Sequence, residues 1–249
     1  MRVRETFRRT RLLGLSLCLA LGVAFAGPAL AWDVDTGMSQ ETFRLFHDRM
    51  VFAAYPYARH GAAPLGLVGF DIYADLSADL DAGDDDAFLA AIDGSLPGDA
   101  LAFVRVGARK GLPGGFDLGA GYARAVDGDI ELLSADLQWA ILKGGALKPA
   151  LSLRLTGTQN LDSGPYQVEI YGAEVLLSKG FPLFTPYVGV GFYRGEGDLE
   201  RSGGGRFSRS EDGTFAYAGV TVNLLVPKIN FELEQGESFQ GAVRVSIGL

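Results

Sequence analysis

The sequence predicts an all-β protein: a closed antiparallel up-and-down transmembrane β-barrel of about ten strands, with eight to twelve possible, preceded by a short N-terminal helical segment. Three observations predict this fold. They are an export signal, alternation of apolar and polar residues from residue 64 onward, and the lack of any later apolar run of about 18 residues. A membrane-inserted chain without such a run must close its sheet, because lipid cannot hydrogen-bond the open edge of a strand.

The first 31 residues have the three parts of a cleavable signal peptide. Five arginines precede an apolar run from Leu12 to Ala26, and the small-residue site Ala29-Leu30-Ala31 follows. Signal peptidase recognises this order, so we expect cleavage before Trp32. The apolar run is shorter than the roughly 20 residues of a membrane span, and Pro28 interrupts it, which argues against a membrane anchor.

The mature chain is acidic and contains no cysteine. Cleavage removes five arginines, one glutamate and the single cysteine, Cys18, which leaves 218 residues with 17 basic and 29 acidic side chains and a formal charge of −12. This balance argues against nucleic acid as a partner. Neither a disulfide nor a reactive thiol is expected, and a chain of this length suits one all-β domain.

Apolar and polar residues alternate with a period of two in one predicted strand after another. Leu133, Leu137 and Trp139, for example, alternate with Ser134 and Gln138. A soluble barrel would turn such an apolar row toward its core, whereas a membrane barrel turns it toward lipid. Strands of about ten residues, with aromatic residues near their ends, favour lipid. These aromatic residues are Trp139, Tyr171, Phe181, Phe184 and Phe192.

The connections are predicted to alternate between compact turns and longer polar loops. The longer loops are 77–99, 160–165 and 195–213. In membrane barrels, long loops face outward and short turns face the periplasm. Strand 64–76 precedes the first long loop, six strands separate it from the last, and three more strands lead to Leu249, which gives ten.

The segment 38–57 is predicted to be a helix and not an eleventh strand, because an odd count would leave the N-terminus outside. Ser39 can cap the helix, and apolar residues follow at helical spacing, at Phe43, Phe46, Met50 and Ala53. We therefore expect residues 32–63 to form an N-terminal segment at the periplasmic mouth or in the lumen, and residues 64–249 to form the barrel.

Short motifs stand at the strand junctions, in order, through nearly the whole mature chain. They are Pro64-Leu65-Gly66 before Gly69-Phe70-Asp71, Lys110-Gly111-Leu112-Pro113, Ala140-Ile141-Leu142-Lys143-Gly144-Gly145, Ser178-Lys179-Gly180-Phe181 and Phe184-Thr185-Pro186-Tyr187. Together they resemble the motifs of an uncharacterised family of proteobacterial outer-membrane β-barrel proteins, a domain of unknown function. The resemblance implies a barrel in the outer membrane, but it implies no activity, substrate or site residue.

Charged residues on the polar face are predicted to point into the lumen. Both signs are present, and an unpaired charge in a narrow interior is costly, so we expect salt-bridged networks. Ten strands enclose little more than an eight-stranded barrel, which its own side chains fill, so a wide diffusion pore is not expected. The candidate residues are Asp71, Asp75, Arg105, Arg109, Asp117, Asp136, Arg154, Glu174, Glu232, Glu234 and Arg244.

The sequence contains no strong catalytic or metal motif, and no cofactor is expected. Its two histidines, His47 and His60, precede the first predicted strand, and the topology places both on the periplasmic side, so we predict no enzyme. One acidic run departs from calcium-loop spacing, and a solvated loop before a short helix at 87–92 is expected there. As a weaker alternative, it could share divalent cations with lipopolysaccharide; its residues are Asp79, Asp81, Asp84, Asp85 and Asp86.

The sequence favours a non-enzymatic outer-membrane barrel that is either a structural or surface protein or a narrow channel for small solutes. Two alternatives stay open: a membrane-embedded enzyme that modifies lipid, and a soluble periplasmic barrel that binds an apolar ligand between inward apolar rows. The expected partners are outer-membrane lipid and lipopolysaccharide, with the barrel-assembly machinery during insertion.

Overall fold

The computed structural model describes residues 32–145, 147–161, 163–224 and 226–248. The predicted signal peptide and Leu249 lie outside the described residues. In chain order the elements are β1 (Asp33–Val34), α1 (Gln40–Ala54), β2 (Phe70–Asp79), α2 (Asp86–Leu89), β3 (Ile92–Asp93), β4 (Leu101–Leu112), β5 (Phe116–Ala125), β6 (Glu131–Lys143), β7 (Ala150–Asn160), β8 (Tyr166–Ser178), β9 (Phe184–Glu200), β10 (Arg206–Asn223), β11 (Pro227–Gln235) and β12 (Phe239–Gly248).

Ten antiparallel strands close into one barrel, which confirms the predicted fold class and strand number. Each wall strand pairs with the next wall strand in the chain, and β12 pairs with β2 to close the sheet. The two remaining strands, β1 and β3, form a separate short ribbon. Among the described residues, no helix is long and apolar enough to cross a membrane.

The two ends of the barrel differ in their connections. At the end we call the long-hairpin end, β9 and β10 continue to a turn at 201–205, and residues 80–100 join β2 to β4. That connection contains α2, which is shorter than the predicted helix at 87–92. At the opposite end, the short-turn end, the connections after β4, β6, β8 and β10 are compact.

The predicted loop at 195–213 is wrong, because most of it is paired strand. Gly195 to Glu200 pair in register with Glu211 to Arg206. Outward residues of this stretch are charged, as at Glu196 and Asp198, and so it lacks the apolar row that indicates a membrane strand. The charged ladder therefore continues beyond the apolar part of the wall.

The predicted start of the first wall strand at residue 64 is also wrong, since β2 begins at Phe70. Gly66 has a φ of +77°, which an extended strand does not adopt, and its carbonyl lies against Gly111, where no side chain would fit. The backbone N–H of Leu65 donates to Asp117 at 3.1 Å. Residues 65–69 therefore form a turn at the short-turn end.

The apolar rows of the wall face outward. Leu155 is 58 % exposed, whereas its neighbour Arg154 is 4 % exposed. Outward residues of β9 are apolar from Phe184 to Phe192 and charged from Arg194 onward. At about 3.3 Å per residue and a tilt of about 40°, these residues give a band roughly 23 Å high, close to the roughly 25 Å expected for a membrane barrel.

Aromatic residues border this apolar band. At the short-turn end, Phe116 stacks on Trp139 and Phe181 stacks on Phe184, all on the outer surface. Toward the other border, Tyr171 and Phe192 are also exposed. Paired aromatic girdles of this kind mark the two interfaces of a membrane barrel.

The N-terminal segment runs through the lumen from the long-hairpin end to the short-turn end. The indole N–H of Trp32 donates to the carbonyl of Val126, and β1 pairs with β3 in the long connection. Helix α1 then packs against β9 and β10, and Leu65 reaches Asp117 at the opposite end. We call residues 38–65 the luminal segment.

Helix α1 forms as its sequence predicts. Ser39 is the N-cap, and its hydroxyl accepts a hydrogen bond from the backbone N–H of Thr42 at 3.1 Å. The predicted apolar stripe is buried, with each member at most 2 % exposed. Its members are Phe43, Phe46, Met50 and Ala53.

A charged residue placed on the outer face tests whether that face contacts lipid. We expect Leu155→Arg to lower the free energy of unfolding in lipid vesicles by about 2–4 kcal/mol, because the charge would lie within the apolar band. Gln159→Arg is the matched control on the same strand and face beyond the band, and it should cost less than about 1 kcal/mol. Urea unfolding measures both, and equal costs would contradict an outer face in lipid.

Candidate functional site

The candidate site is the charged lumen together with the luminal segment. All of the wall residues proposed for the lumen face inward, and each is at most 7 % exposed. The structure brings them into three neighbouring groups of ion pairs and adds cations from the luminal segment.

Arg59 lies at the centre of the first group. Its guanidinium donates to the carboxylate of Asp75 at 2.6 Å and to that of Glu234 at 3.0 Å. Arg244 contacts the second oxygen of Asp75 at 2.8 Å, and Arg105 lies 3.9 Å from the first. One carboxylate of the wall thus receives three guanidinium groups, one of which comes from the luminal segment.

The second and third groups lie farther around the wall. Arg154 pairs with Asp136 at 3.0 Å and also with Glu174. Arg109 lies 3.4 Å from Asp117 and 3.9 Å from Asp136, which connects the two groups.

The remaining acidic residues of the wall flank these groups. Lys228 lies 3.8 Å from Asp71 at the short-turn end. Glu232 is buried one inward position from Glu234, on the same strand. The wall therefore holds its inward charges close together and largely away from water.

Sequence reasoning missed Arg59, although the charge count contains a signal for it. The predicted luminal residues of the wall include seven carboxylates and only four guanidinium groups. Buried charges need partners, so the excess of acid implies that cations come from outside the wall. Arg59 and Arg49 are such cations in the N-terminal segment.

The luminal segment is also held at both of its ends. Near the long-hairpin end, Asp48 accepts two hydrogen bonds from Arg209 at 3.1 Å, and Arg49 lies 3.2 Å from Asp79. Near the short-turn end, the backbone N–H of Ala62 donates to the hydroxyl of Ser178 at 2.9 Å. Together with Arg59, these polar contacts hold the luminal segment at both ends and between them.

Glycines in the wall make room for the luminal segment. Side chains at Gly195 and Gly197 would collide with Val51 and His47, and one at Gly172 would collide with Tyr55. Inward glycines of the barrel strands therefore mark where the luminal segment packs closely.

Aromatic rings fill the middle of the lumen. Tyr55 lies 4.8 Å from both Tyr57 and Phe215, measured between ring centroids, and Tyr193 stacks on Phe215. The two tyrosines of the luminal segment are fully buried. Apolar burial thus adds to the ion pairs in holding the luminal segment within the barrel.

The prediction that both histidines lie on the periplasmic side is wrong for His47. Because the luminal segment spans the lumen, His47 packs beside Tyr166 in the half nearer the long-hairpin end, whereas His60 lies near the short-turn end. The His47 ring is fully buried, and its Nδ1 lies 2.8 Å from the phenol oxygen of Tyr166. This enclosed pair does not form a nucleophile, base and carboxylate arrangement.

The acidic run at 79–86 is engaged in contacts within the protein. Asp79 accepts from Ser238 at 2.8 Å, and Asp85 caps α2 and lies 2.9 Å from Arg49. Asp81 accepts from the backbone N–H of Phe239. Among the described residues, no group of three or more histidine, cysteine or acidic side chains is arranged to hold a metal ion.

No family model matches the chain, and no curated protein matches it. Similar solved structures include the N-terminal β-barrel domain of Pseudomonas aeruginosa OprF, with 10 % identity and a TM-score of 0.38, covering 74 % of this chain and 99 % of that one. An outer membrane channel from Pseudomonas putida F1 is 10 % identical with a TM-score of 0.43, covering 78 % and 100 %. Neisserial surface protein A is 10 % identical with a TM-score of 0.29, covering 72 % and 96 %. Membership of the uncharacterised family therefore stays a prediction.

Removing the Arg59 cation should destabilise the luminal segment. We expect Arg59→Met to lower the free energy needed to release the luminal segment from the barrel wall by about 3–5 kcal/mol. Two carboxylates, those of Asp75 and Glu234, would stay buried without their partner. Hydrogen exchange of the amides at 50–62 in the folded barrel measures this. Arg194→Met is the control, since Arg194 is 53 % exposed on the outer face of β9, outside the luminal segment, and its loss should leave the opening free energy unchanged. Similar losses in both variants would contradict a central role for Arg59.

Acid should also loosen the luminal segment through His47. Burial lowers the pKa of His47 to about 4, below its ordinary 6.5. The folded state keeps the ring neutral, so its contribution is complete above pH 6.5 and is lost as the pH falls toward 4, by at most about 3 kcal/mol. Hydrogen exchange corrected for intrinsic rates should show faster opening at pH 4.5 than at pH 7.5. His47→Gln should lessen this difference, and an unchanged difference would contradict the assignment.

Proposed function

We propose that this protein is a non-enzymatic outer-membrane β-barrel whose own N-terminal segment closes the lumen, so that it serves as a structural or surface protein and not as an open pore. One observation carries the proposal. Arg59 of the luminal segment is 1 % exposed and bridges Asp75 and Glu234 on the inner wall. A free passage along the barrel axis would require this contact to break.

The outer surface supports a membrane location. An apolar band bordered by aromatic residues is close in height to the apolar band of outer-membrane barrels. Beyond the band, the hairpin of β9 and β10 presents exposed ion pairs, such as Arg194 with Glu196 at 3.1 Å. Charged groups at this height suit the polar headgroups of lipid and lipopolysaccharide. Since short turns face the periplasm in such barrels, the long-hairpin end would face outward.

The two rival functions find less support in the geometry. A soluble barrel that binds an apolar ligand needs apolar rows directed inward, whereas this wall directs carboxylates and guanidinium groups inward. A lipid-modifying enzyme needs an accessible catalytic group, whereas His47 is fully enclosed. A narrow channel would need the luminal segment to move aside, which conductance can detect.

Planar-bilayer recording tests the closed lumen. We expect the mature chain to show no steady openings, because the luminal segment blocks the axis. Arg59→Glu should produce openings, since it places a carboxylate against Asp75 and Glu234. Arg194→Glu on the exposed outer face of β9 is the control and should stay silent. Steady conductance of the unaltered chain would overturn the proposal and favour a channel.

A further inference from the structure

All five lysines of the chain lie at the short-turn end, although its arginines are spread along the sequence. They lie in or beside the four compact turns and are Lys110, Lys143, Lys148, Lys179 and Lys228. Lysine is a flexible point charge that contacts anions without the fixed geometry of arginine. The distribution therefore concentrates mobile positive charge at one mouth of an acidic protein.

Acidic groups do not balance this charge at the surface of the short-turn end. Within the described residues there, the carboxylates are Asp71 and Asp117, which are 5 % and 0 % exposed. Asp117 accepts from Leu65 and pairs with Arg109, so it is already used inside the lumen. The exposed charge at this mouth is therefore positive.

A cavity of about 700 Å³ opens at the same end, beneath the luminal segment. Lys143, Lys148 and Lys228 line it, and the buried Arg109 lies among its lining residues. The other two lysines instead brace turns. Lys110 donates to the carbonyl of Leu67 at 2.8 Å, and Lys179 donates to that of Gly145 at 3.1 Å.

Neutral hydrogen-bonding groups and one carboxylate, that of the buried Asp71, which lies 3.8 Å from Lys228, complete the lining. The hydroxyls of Ser178, Thr185 and Ser246 and the amides of Asn223 and Asn230 face the same space. The volume falls within the roughly 300–1,000 Å³ typical of small-molecule sites. A few convergent polar groups around such a cavity are a usual arrangement for ligand binding.

We propose that this cavity, which we call the lysine vestibule, binds a small solute that carries a phosphate group. The three lysines supply the charge, and the hydroxyl and amide groups supply hydrogen bonds to phosphate oxygens. A soluble phosphate ester is the favoured source, because the lysines line the inside of the mouth and not its lipid-facing rim. The phosphate of a lipid headgroup has the same chemistry and is the second arm of the test. This proposal goes beyond the proposed function, because a solute can bind at the mouth of the barrel without passing through the closed lumen.

Calorimetric titration with pyrophosphate tests the lysine vestibule. The full mature chain is held in dodecyl maltoside, which contains no phosphate, at fixed ionic strength because screening weakens such contacts. We expect saturable binding that weakens by about tenfold in the triple variant Lys143→Gln, Lys148→Gln and Lys228→Gln. Lys148 lies in a turn, and Lys143 and Lys228 lie at strand ends beside turns, so heat-dependent gel mobility should show both proteins folded.

A control variant removes the same charge from the opposite end. Arg124→Gln, Arg194→Gln and Arg206→Gln replace three arginines that are 53–56 % exposed, and pyrophosphate affinity should stay within about twofold. No binding, or equal weakening in the two triple variants, would overturn the proposal.

Repeating the titration in nanodiscs that contain phosphatidylglycerol distinguishes the two sources of phosphate. Competition by the lipid assigns the site to a lipid headgroup, and unchanged pyrophosphate affinity assigns it to a soluble phosphate. Conductance is measured in a separate experiment, so a lack of pyrophosphate binding would not contradict the proposed closed lumen.

Discussion

The structure depends on how the buried carboxylates of the wall are neutralised. A ten-stranded barrel that turns its apolar rows outward must put its polar residues into a narrow interior, where an uncompensated charge costs several kcal/mol. The wall alone contributes more inward acid than base. Arg59 supplies a cation from outside the wall, and it contacts Asp75 and Glu234 at once. The luminal segment is therefore part of the electrostatic balance of the barrel and not an appendage.

The architecture of the wall could be predicted from sequence because one physical rule governs it. The period-two pattern assigns each residue of a strand to a face, and lipid forbids open edges, so strand number and closure follow from the pattern and the topology. Ser39 and the apolar stripe from Phe43 to Ala53 also carry helical information in a short stretch of chain. These features are local, which is why they can be recognised in a single sequence.

The features that the sequence did not reveal are long-range or lack an apolar face. In β9 the charged ladder alternates glycine with acidic residues from Gly195 to Asp198, so its pattern resembles a loop, although its backbone pairs in full register with β10. The path of residues 38–65 depends on contacts with distant strands, such as Ala62 with Ser178. The sequence predicted a salt-bridged network in the lumen but not its individual pairs, because the pairs among Asp136, Arg154 and Glu174 require three adjacent strands to be in register.

A lumen that is closed only by non-covalent contacts of the luminal segment has a consequence for how the barrel could leak. The hydrogen-bonded wall is continuous, so any leak through a closed barrel of this kind would depend on transient departure of residues 38–65 and not on the strands. The fraction of time spent unsealed then follows the local unfolding equilibrium, which changes about tenfold for every 1.4 kcal/mol. If the lumen is closed as proposed, the Arg59 guanidinium, which holds the luminal segment to Asp75 and Glu234, would set much of the permeability of the barrel.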